Sequence, residues 1–253
     1  MNVFIIPGRL IVSLGFIGLS ILCILSEDFI VGRPPAWPPN INLNPLLAYT
    51  TAALLLICAA MILSKKNGGL ASLIIVSMIF ILSLTRHLLH FVDWLNALKT
   101  LALVGGMLIV GVSFFREDNR LTTSTRVSAS ARRILLWSGR IFLAAFFIAA
   151  GYAHHMFADF VVNFIPSYIP FRFFWTYFTA LCLVAGGIGI LISNTRKWAS
   201  LLSGVMVFGW FLLLHIPRVL ANINDPGERL GLFESLAISG MFFVLTGLSK
   251  GKD

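Results

Sequence analysis

Long apolar runs, separated by short polar or proline-rich stretches, dominate the pattern of hydrophobic and polar positions along this chain. A helix that crosses the hydrocarbon core of a bilayer needs about 20 mostly apolar residues. A lone strand could not satisfy its backbone hydrogen bonds in lipid, so runs of this length predict helices. The predicted spans are residues 10–26, 46–64, 70–91, 95–115, 134–154, 173–193, 199–217 and 231–248.

The composition supports a membrane protein. Of the 253 residues, 58% are hydrophobic and only 11% are charged, whereas a soluble domain carries about 25% charged residues. Three cysteines lie within apolar runs and form neither a CxxC motif nor a metal-type spacing. We therefore expect buried thiols and no cysteine metal site.

The distribution of positive charge predicts the orientation. With eight spans, 13 of the 19 Lys and Arg residues lie on the side that carries both chain ends. The positive-inside rule places that side in the cytoplasm. The segment 116–133 is then a basic cytoplasmic linker. The net charge of +9 is explained by loops facing anionic lipid, so we expect no nucleic-acid partner.

The two halves of the sequence resemble each other. GRLIVSLGFIGLS from Gly8 is similar to GRIFLAAFFIAAG from Gly139, and LALVGGM at 101–107 is similar to LAISGMF at 236–242. The register of Gly8 and Gly139 also pairs Asp28 with Asp159, and a register shifted by three residues pairs His87 with His215. Each half has an even number of spans, which predicts a parallel repeat. We expect two four-helix bundles, from units 1–115 and 134–253, joined by the linker 116–133.

The same residues resemble the DoxX family of small bacterial membrane proteins. The similarity comprises the Arg140 helix start, the G-x-x-H of Gly151–His154, the IPSYIP loop at 165–170 and WASLLSG at 198–204. LKTLALVGG at 98–106 resembles the fourth helix of the family. The resemblance implies two fused four-span units in a bacterial plasma (inner) membrane, and a link to quinone-coupled oxidation or oxidative-stress systems. It supplies no catalytic residue that could be transferred to a position here.

The most function-like feature of the sequence is a polar layer at one end of the predicted bundle. All five histidines fall at the outer ends of the third, fifth and seventh spans, together with two arginines and two aspartates. Those residues are His87, His90, His154, His155, His215, Arg86, Arg218, Asp28 and Asp159. Titratable groups at membrane depth mark functional sites more often than surface residues do.

Candidate roles follow from spacing. His154 and His215 are the candidate hydrogen-bonding and proton-transfer groups, and Asp159, four residues after His155, is placed to orient that imidazole if the helix continues. The candidate ligand-binding and charge-setting residues are Arg86, His87, His90 and Arg218. Pro217 predicts a kink or an end of the seventh helix. The proline-framed segments 33–45 and 163–171 are predicted to lie at the interface as lids.

Several functions remain open from the sequence. The polar layer could simply anchor helices at the membrane interface. It could form an outward-facing pocket for a quinone, in a subunit of a membrane redox system with a redox partner protein. Metal or haem binding is disfavoured because no ligand-type histidine spacing is present. A transporter is disfavoured because no span has a charge near its middle. A scaffold or assembly factor is the rival from a different class, and the oligomeric state stays open.

Overall fold

A computed structural model describes residues 3–37, 45–90, 93–118 and 127–249, with side chains 116–118 excepted. Within these residues the secondary structure is helical, without a strand. Eight helices are long and apolar enough to cross a membrane, which confirms the predicted all-helical, eight-span class. They are α1 Ile5–Leu25, α2 Pro45–Leu63, α3 Gly68–Leu89, α4 Trp94–Phe115, α5 Ala129–Met156, α6 Arg172–Leu191, α7 Arg196–Ala221 and α8 Pro226–Leu248.

Two helices begin about a turn earlier than their apolar runs because polar residues cap them. Ser128 precedes α5, and its hydroxyl accepts the Ala131 N–H at 3.1 Å. Asp225 precedes α8, and its carboxylate accepts the Gly227 N–H at 2.7 Å and the Glu228 N–H at 3.1 Å. Side chains of this kind satisfy the backbone donors of the first turn. A hydropathy pattern underestimates such helices because their first turns are polar.

The third and seventh spans each contain a π-helical turn, at Phe80–Leu84 and Phe211–His215. Turns of this type are rare and often accompany functional sites. The sequence predicts a kink or an end of the seventh helix at Pro217, and the end is wrong, because the helix continues to Ala221. Pro217 has no N–H to donate to the Leu213 carbonyl four residues earlier, and the Tyr168 hydroxyl donates to that carbonyl instead.

The most extensive contacts of the first and last helices of the first half are with helices of the second half. Helix α1 makes its most extensive contacts with α8, and α4 makes its most extensive contacts with α5. Within each half, consecutive helices also touch, so the eight spans form a closed ring of neighbours. The most buried helices are α4 and α8, at 83% and 78% of their apolar windows. They therefore form the centre of the molecule.

Glycines make the contacts between the halves possible. A Cβ on Gly240 would lie 2.7 Å from the Gly8 carbonyl oxygen, and one on Gly139 would lie 2.5 Å from the Gly105 carbonyl oxygen. Small residues allow such backbone contact between membrane helices. These two pairs join positions that the sequence comparison aligned. The internal repeat, its two four-helix units and their boundaries stay predictions, and the contacts show that the two halves are packed closely against each other.

The start of α1 and the end of α8 lie together. Ile5 at the start of α1 is packed against Gly247 near the end of α8, as expected for an even number of alternating spans. We call this side of the molecule the terminal end. We call the opposite side, at which α3, α5 and α7 finish, the histidine end.

Candidate functional site

An apolar cavity of about 590 Å³ lies at the histidine end of the second half. Its walls come from α5, α6 and α7, and a short irregular segment covers it. Ligand cavities for small molecules occupy about 300–1,000 Å³ and combine apolar walls with few polar groups. The polar side chains of this lining are His154, Thr179 and His215, with the indole N–H groups of Trp175 and Trp210.

Residues 157–171 form the cover, which we call the roof. Helix α5 ends at Met156, and a short helix at Ala158–Val161 and a 3₁₀ turn at Val162–Phe164 follow. Val161, Ile165 and Ile169 of the roof line the cavity. The roof agrees with the predicted lid over 163–171. The other predicted lid, 33–45, lies largely outside the described residues.

Two side-chain bonds fasten the roof to α7. The Tyr168 hydroxyl donates to the Leu213 carbonyl, which lies on the π-helical turn. The Arg218 Nη1 donates to the Phe164 carbonyl at 3.1 Å. The same guanidinium lies 4.4 Å from the centre of the Phe164 ring. The roof is therefore held by residues of the seventh span as well as by contacts within itself, such as the Phe160 and Phe164 rings at 4.8 Å between centroids.

His154 has a defined tautomer in the cavity wall. Its Nδ1 lies 2.8 Å from the Ala150 carbonyl oxygen. A carbonyl oxygen can only accept, so this Nδ1 carries a hydrogen, and Nε2 of the neutral ring remains an acceptor. The imidazole stacks on the Trp210 ring, with centroids 6.2 Å apart and planes inclined by 16°. This contact fixes the orientation of the His154 ring.

His215 faces the cavity from the π-helical turn and rests on helix α8. Gly231 provides its space, because a Cβ there would lie 3.0 Å from His215 Cε1 and 3.2 Å from Nδ1. The Nδ1 atom is buried and has no hydrogen-bond partner among the described residues. A buried, unpaired polar atom costs about 1–3 kcal/mol. Because Nδ1 is enclosed against Gly231, the cavity is lined by other atoms of the His215 ring.

Arg218 is held by a carboxylate that the sequence reasoning did not select. Its Nε donates to Glu228 Oε2 at 2.7 Å, and its Nη2 donates to Glu228 Oε1. This bidentate pair is a strong form of ion pair. Arg218 thus lies beside the cavity and bonds the roof, but it does not line the cavity itself.

In the first half, the matching side chains are buried within the protein. Arg86 is 0% exposed and His87 is 1% exposed. Arg86 donates to Asp28 at 2.8 Å and to the Phe29 carbonyl, and it lies over the Trp37 ring. The His87 Nε2 lies 3.2 Å from the Gly32 carbonyl oxygen. A ligand at Arg86 or His87 would have to displace this loop, so the geometry gives both residues a structural role.

The contacts align the halves differently from the sequence. Sequence registers pair His87 with His215, yet Arg86 and Arg218 make the equivalent bonds. Each arginine bonds a carboxylate and also the carbonyl of a phenylalanine in a segment at the histidine end. The carboxylate of the second half comes from Glu228 and not from the aligned Asp159, which is exposed. The second half therefore leaves space around its histidine, whereas the first half fills that space.

A further buried network joins the first half to α8. The Glu234 Oε1 accepts the Gly32 N–H at 2.7 Å, and Oε2 pairs with Lys99 Nζ at 2.6 Å. Glu234 is 2% exposed. The Gly32 carbonyl accepts the Thr100 hydroxyl at 3.0 Å. Sequence reasoning missed this pair, although a carboxylate within a span indicates a buried partner.

The remaining predicted residues lie away from the cavity. His155 is exposed and contacts the Tyr177 ring, at 5.9 Å between centroids. Helix α5 ends at Met156, so Asp159 lies on the next short helix and not on the same helix as His155. No hydrogen bond or ion pair joins these two described residues. His90 is exposed and non-helical, so it does not share a face with Arg86. The described residues contain no cluster of three or more metal-ligating side chains.

These features define a polytopic helical membrane protein with a ligand-sized cavity at one end of one half. The chain is similar to the model of the family described as "Domain of unknown function (DUF8561)" over residues 143–232. That segment contains every residue that lines the cavity, together with Arg218, Glu228 and Gly231. Neither the curated proteins nor the solved structures give a match to this chain.

Proposed function

We propose that this chain is a quinone-binding subunit of a membrane redox or oxidative-stress system, related to the DoxX proteins it resembles, and that the apolar cavity is the quinone site. The observation that carries the proposal is the pair of imidazoles in an otherwise apolar, aromatic-walled cavity. A quinone ring has two oxygens that need hydrogen-bond partners and two faces that need apolar or aromatic contact.

The two histidines suit the two forms of such a ring. His154 Nε2 is an acceptor in the neutral imidazole, so it would accept a hydroxyl of the reduced ring. The His215 ring also lines the cavity and would donate to a carbonyl of the oxidised ring or accept from a hydroxyl. A bound quinone supplies two-electron, two-proton redox chemistry, and a partner protein would exchange the electrons.

The surroundings support tight seating of a flat ring. Trp210 already stacks on His154, and Trp175 and Phe178 extend the aromatic wall from α6. By charge, the proposal places this cavity at the non-cytoplasmic face of a bacterial plasma membrane, with both chain ends in the cytoplasm. The redox partner would then act on the outer side or within the bilayer.

Ring binding can be measured on the purified full chain in lipid nanodiscs. Titration with a tail-less 1,4-naphthoquinone should quench tryptophan fluorescence, because Trp175 and Trp210 line the cavity. Replacing His154 or His215 by Leu should weaken binding about tenfold each, the cost of one lost buried hydrogen bond. His155→Leu is the matched control, since this neighbouring ring is exposed and lies outside the cavity.

An equal loss in the His155→Leu control, or saturable binding that ignores both cavity histidines, would contradict the assignment. Organic extraction of the purified protein provides a second readout, in which a co-purifying quinone supports the proposal. A chain that binds no quinone and carries none is instead consistent with the scaffold or transporter alternatives.

A further inference from the structure

The cavity is covered on its aqueous side and open on its lipid side. From this asymmetry we infer that its ligand is a ring with a long apolar tail, which reaches the cavity from the bilayer and leaves its tail in a lateral mouth between α6 and α7. The inference rests on the proposed quinone site and adds to it both the route and the class of ligand.

The rim of the cavity shows where the mouth lies. Trp175, Phe178 and Leu213 line the cavity, yet they are 40%, 44% and 59% exposed. Side chains that face a cavity and the outside together mark an opening. These residues belong to spanning helices and are all apolar or aromatic, so the outside at this opening is lipid rather than water.

Gly209 leaves open space beside α7. It lines the cavity from α7, and no atom lies within 4 Å of a Cβ placed on it. Most other described glycines of the spans meet a neighbouring helix at that distance. Helices α6 and α7 also pack much less closely than α5 and α6. A chain of methylene groups can therefore lie past Gly209 without moving either helix.

The roof covers the aqueous side of the cavity. The roof places Val161, Ile165 and Ile169 across the cavity, and the bonds from Tyr168 and Arg218 fasten it to α7. A soluble ligand would have to break those bonds and cross an apolar cover. A membrane-resident ligand needs neither step, because its tail stays in a medium as apolar as the acyl chains.

A pair of ligands and one substitution separate the mouth from the ring site. The titration uses 1,4-naphthoquinone without a tail and the same ring with a ten-carbon alkyl tail, each with the unsubstituted chain and with Gly209→Leu in nanodiscs. Partition into lipid is the same for both proteins, so it cancels from the comparison. Gly209→Ala supplies a smaller step, and Leu212→Phe, on an exposed position of the same helix outside the cavity lining, is the control.

We expect Gly209→Leu to weaken binding of the tailed ring about tenfold, which corresponds to roughly two methylene groups losing their apolar contacts. The affinity for the tail-less ring should change less than about twofold, which is well below the tenfold change expected for the tailed ring. Gly209→Ala should fall between, and Leu212→Phe should leave both ligands unaffected. Equal loss for the two ligands would place Gly209 under the ring and overturn the mouth. Absence of binding of either ligand to the unsubstituted chain would overturn the ring site itself.

Discussion

The bond between Tyr168 and the Leu213 carbonyl determines how firmly the roof is held, and its strength can be predicted. Tyr168 donates to a carbonyl that would bond the residue-217 N–H in a regular α-helix, and proline lacks that N–H. Tyr168→Phe removes the donor and keeps the ring. A neutral intramolecular hydrogen bond contributes about 1 kcal/mol net. We therefore expect the free energy of unfolding to fall by about this amount.

The proline provides an internal test of this reasoning. Pro217→Ala restores a backbone N–H within reach of the Leu213 carbonyl, so this group no longer depends on Tyr168. In the Pro217→Ala background, Tyr168→Phe should cost less than about half of its cost in the unsubstituted chain. The difference between the two costs is the coupling energy of a double-mutant cycle.

Reversible unfolding in mixed micelles, with helix content followed by far-UV circular dichroism, gives the four free energies. Tyr152→Phe makes the same chemical change at an exposed tyrosine without a side-chain hydrogen bond among the described residues, and it should be neutral. An identical cost of Tyr168→Phe in both backgrounds would refute the link between the proline and the roof.

Two further predictions concern how the halves are joined. Glu234→Leu leaves Lys99 and the Gly32 N–H without their partner and should lower the free energy of unfolding by about 2–3 kcal/mol. This cost is below the 3–5 kcal/mol of a fully enclosed pair because Lys99 is partly exposed. Adding Lys99→Met should recover part of the loss, and full independence of the two changes in the same unfolding assay would argue against the pairing. Gly240→Leu should lower the free energy of unfolding by about 3 kcal/mol or more, since it forces α8 away from the Gly8 backbone. Size-exclusion chromatography should then show a reduced folded fraction. Gly209→Leu places its side chain in open space and should fold normally, so equal behaviour of the two variants would contradict the described packing.

Much of the candidate site could be predicted, but not which half would hold it. The prediction that histidines collect at one end of the molecule rested on span boundaries, and His154 and His215 do line one cavity. The same reasoning selected Arg86 and His87, which are enclosed by their own loop. An alignment of the two halves by sequence does not show whether the space beside a side chain is filled by other residues.

The partners of the charged groups were also beyond the sequence. Asp159 was the expected carboxylate of the second half, yet Arg218 takes Glu228 from the following helix. Glu228 and Glu234 lie near the start of α8, separated from their partners by 10 and 135 residues. Spacing rules reach only residues on one helix, so pairs between helices depend on which helices become neighbours.

The sequence by itself determined the solvent, the class of fold and the positions of the eight spans. These properties follow from local apolar length and from the requirement that backbone groups bond within each segment in lipid. Tertiary structure alone decided that α1 packs on α8 and α4 on α5, and that the π-helical turn directs His215 over Gly231. It also decided that His154 and His215 line a cavity of about 590 Å³, whereas Arg86 and His87 are buried. Those outcomes depend on the volumes and backbone contacts of residues far apart in the chain, which an apolar pattern along one segment does not contain.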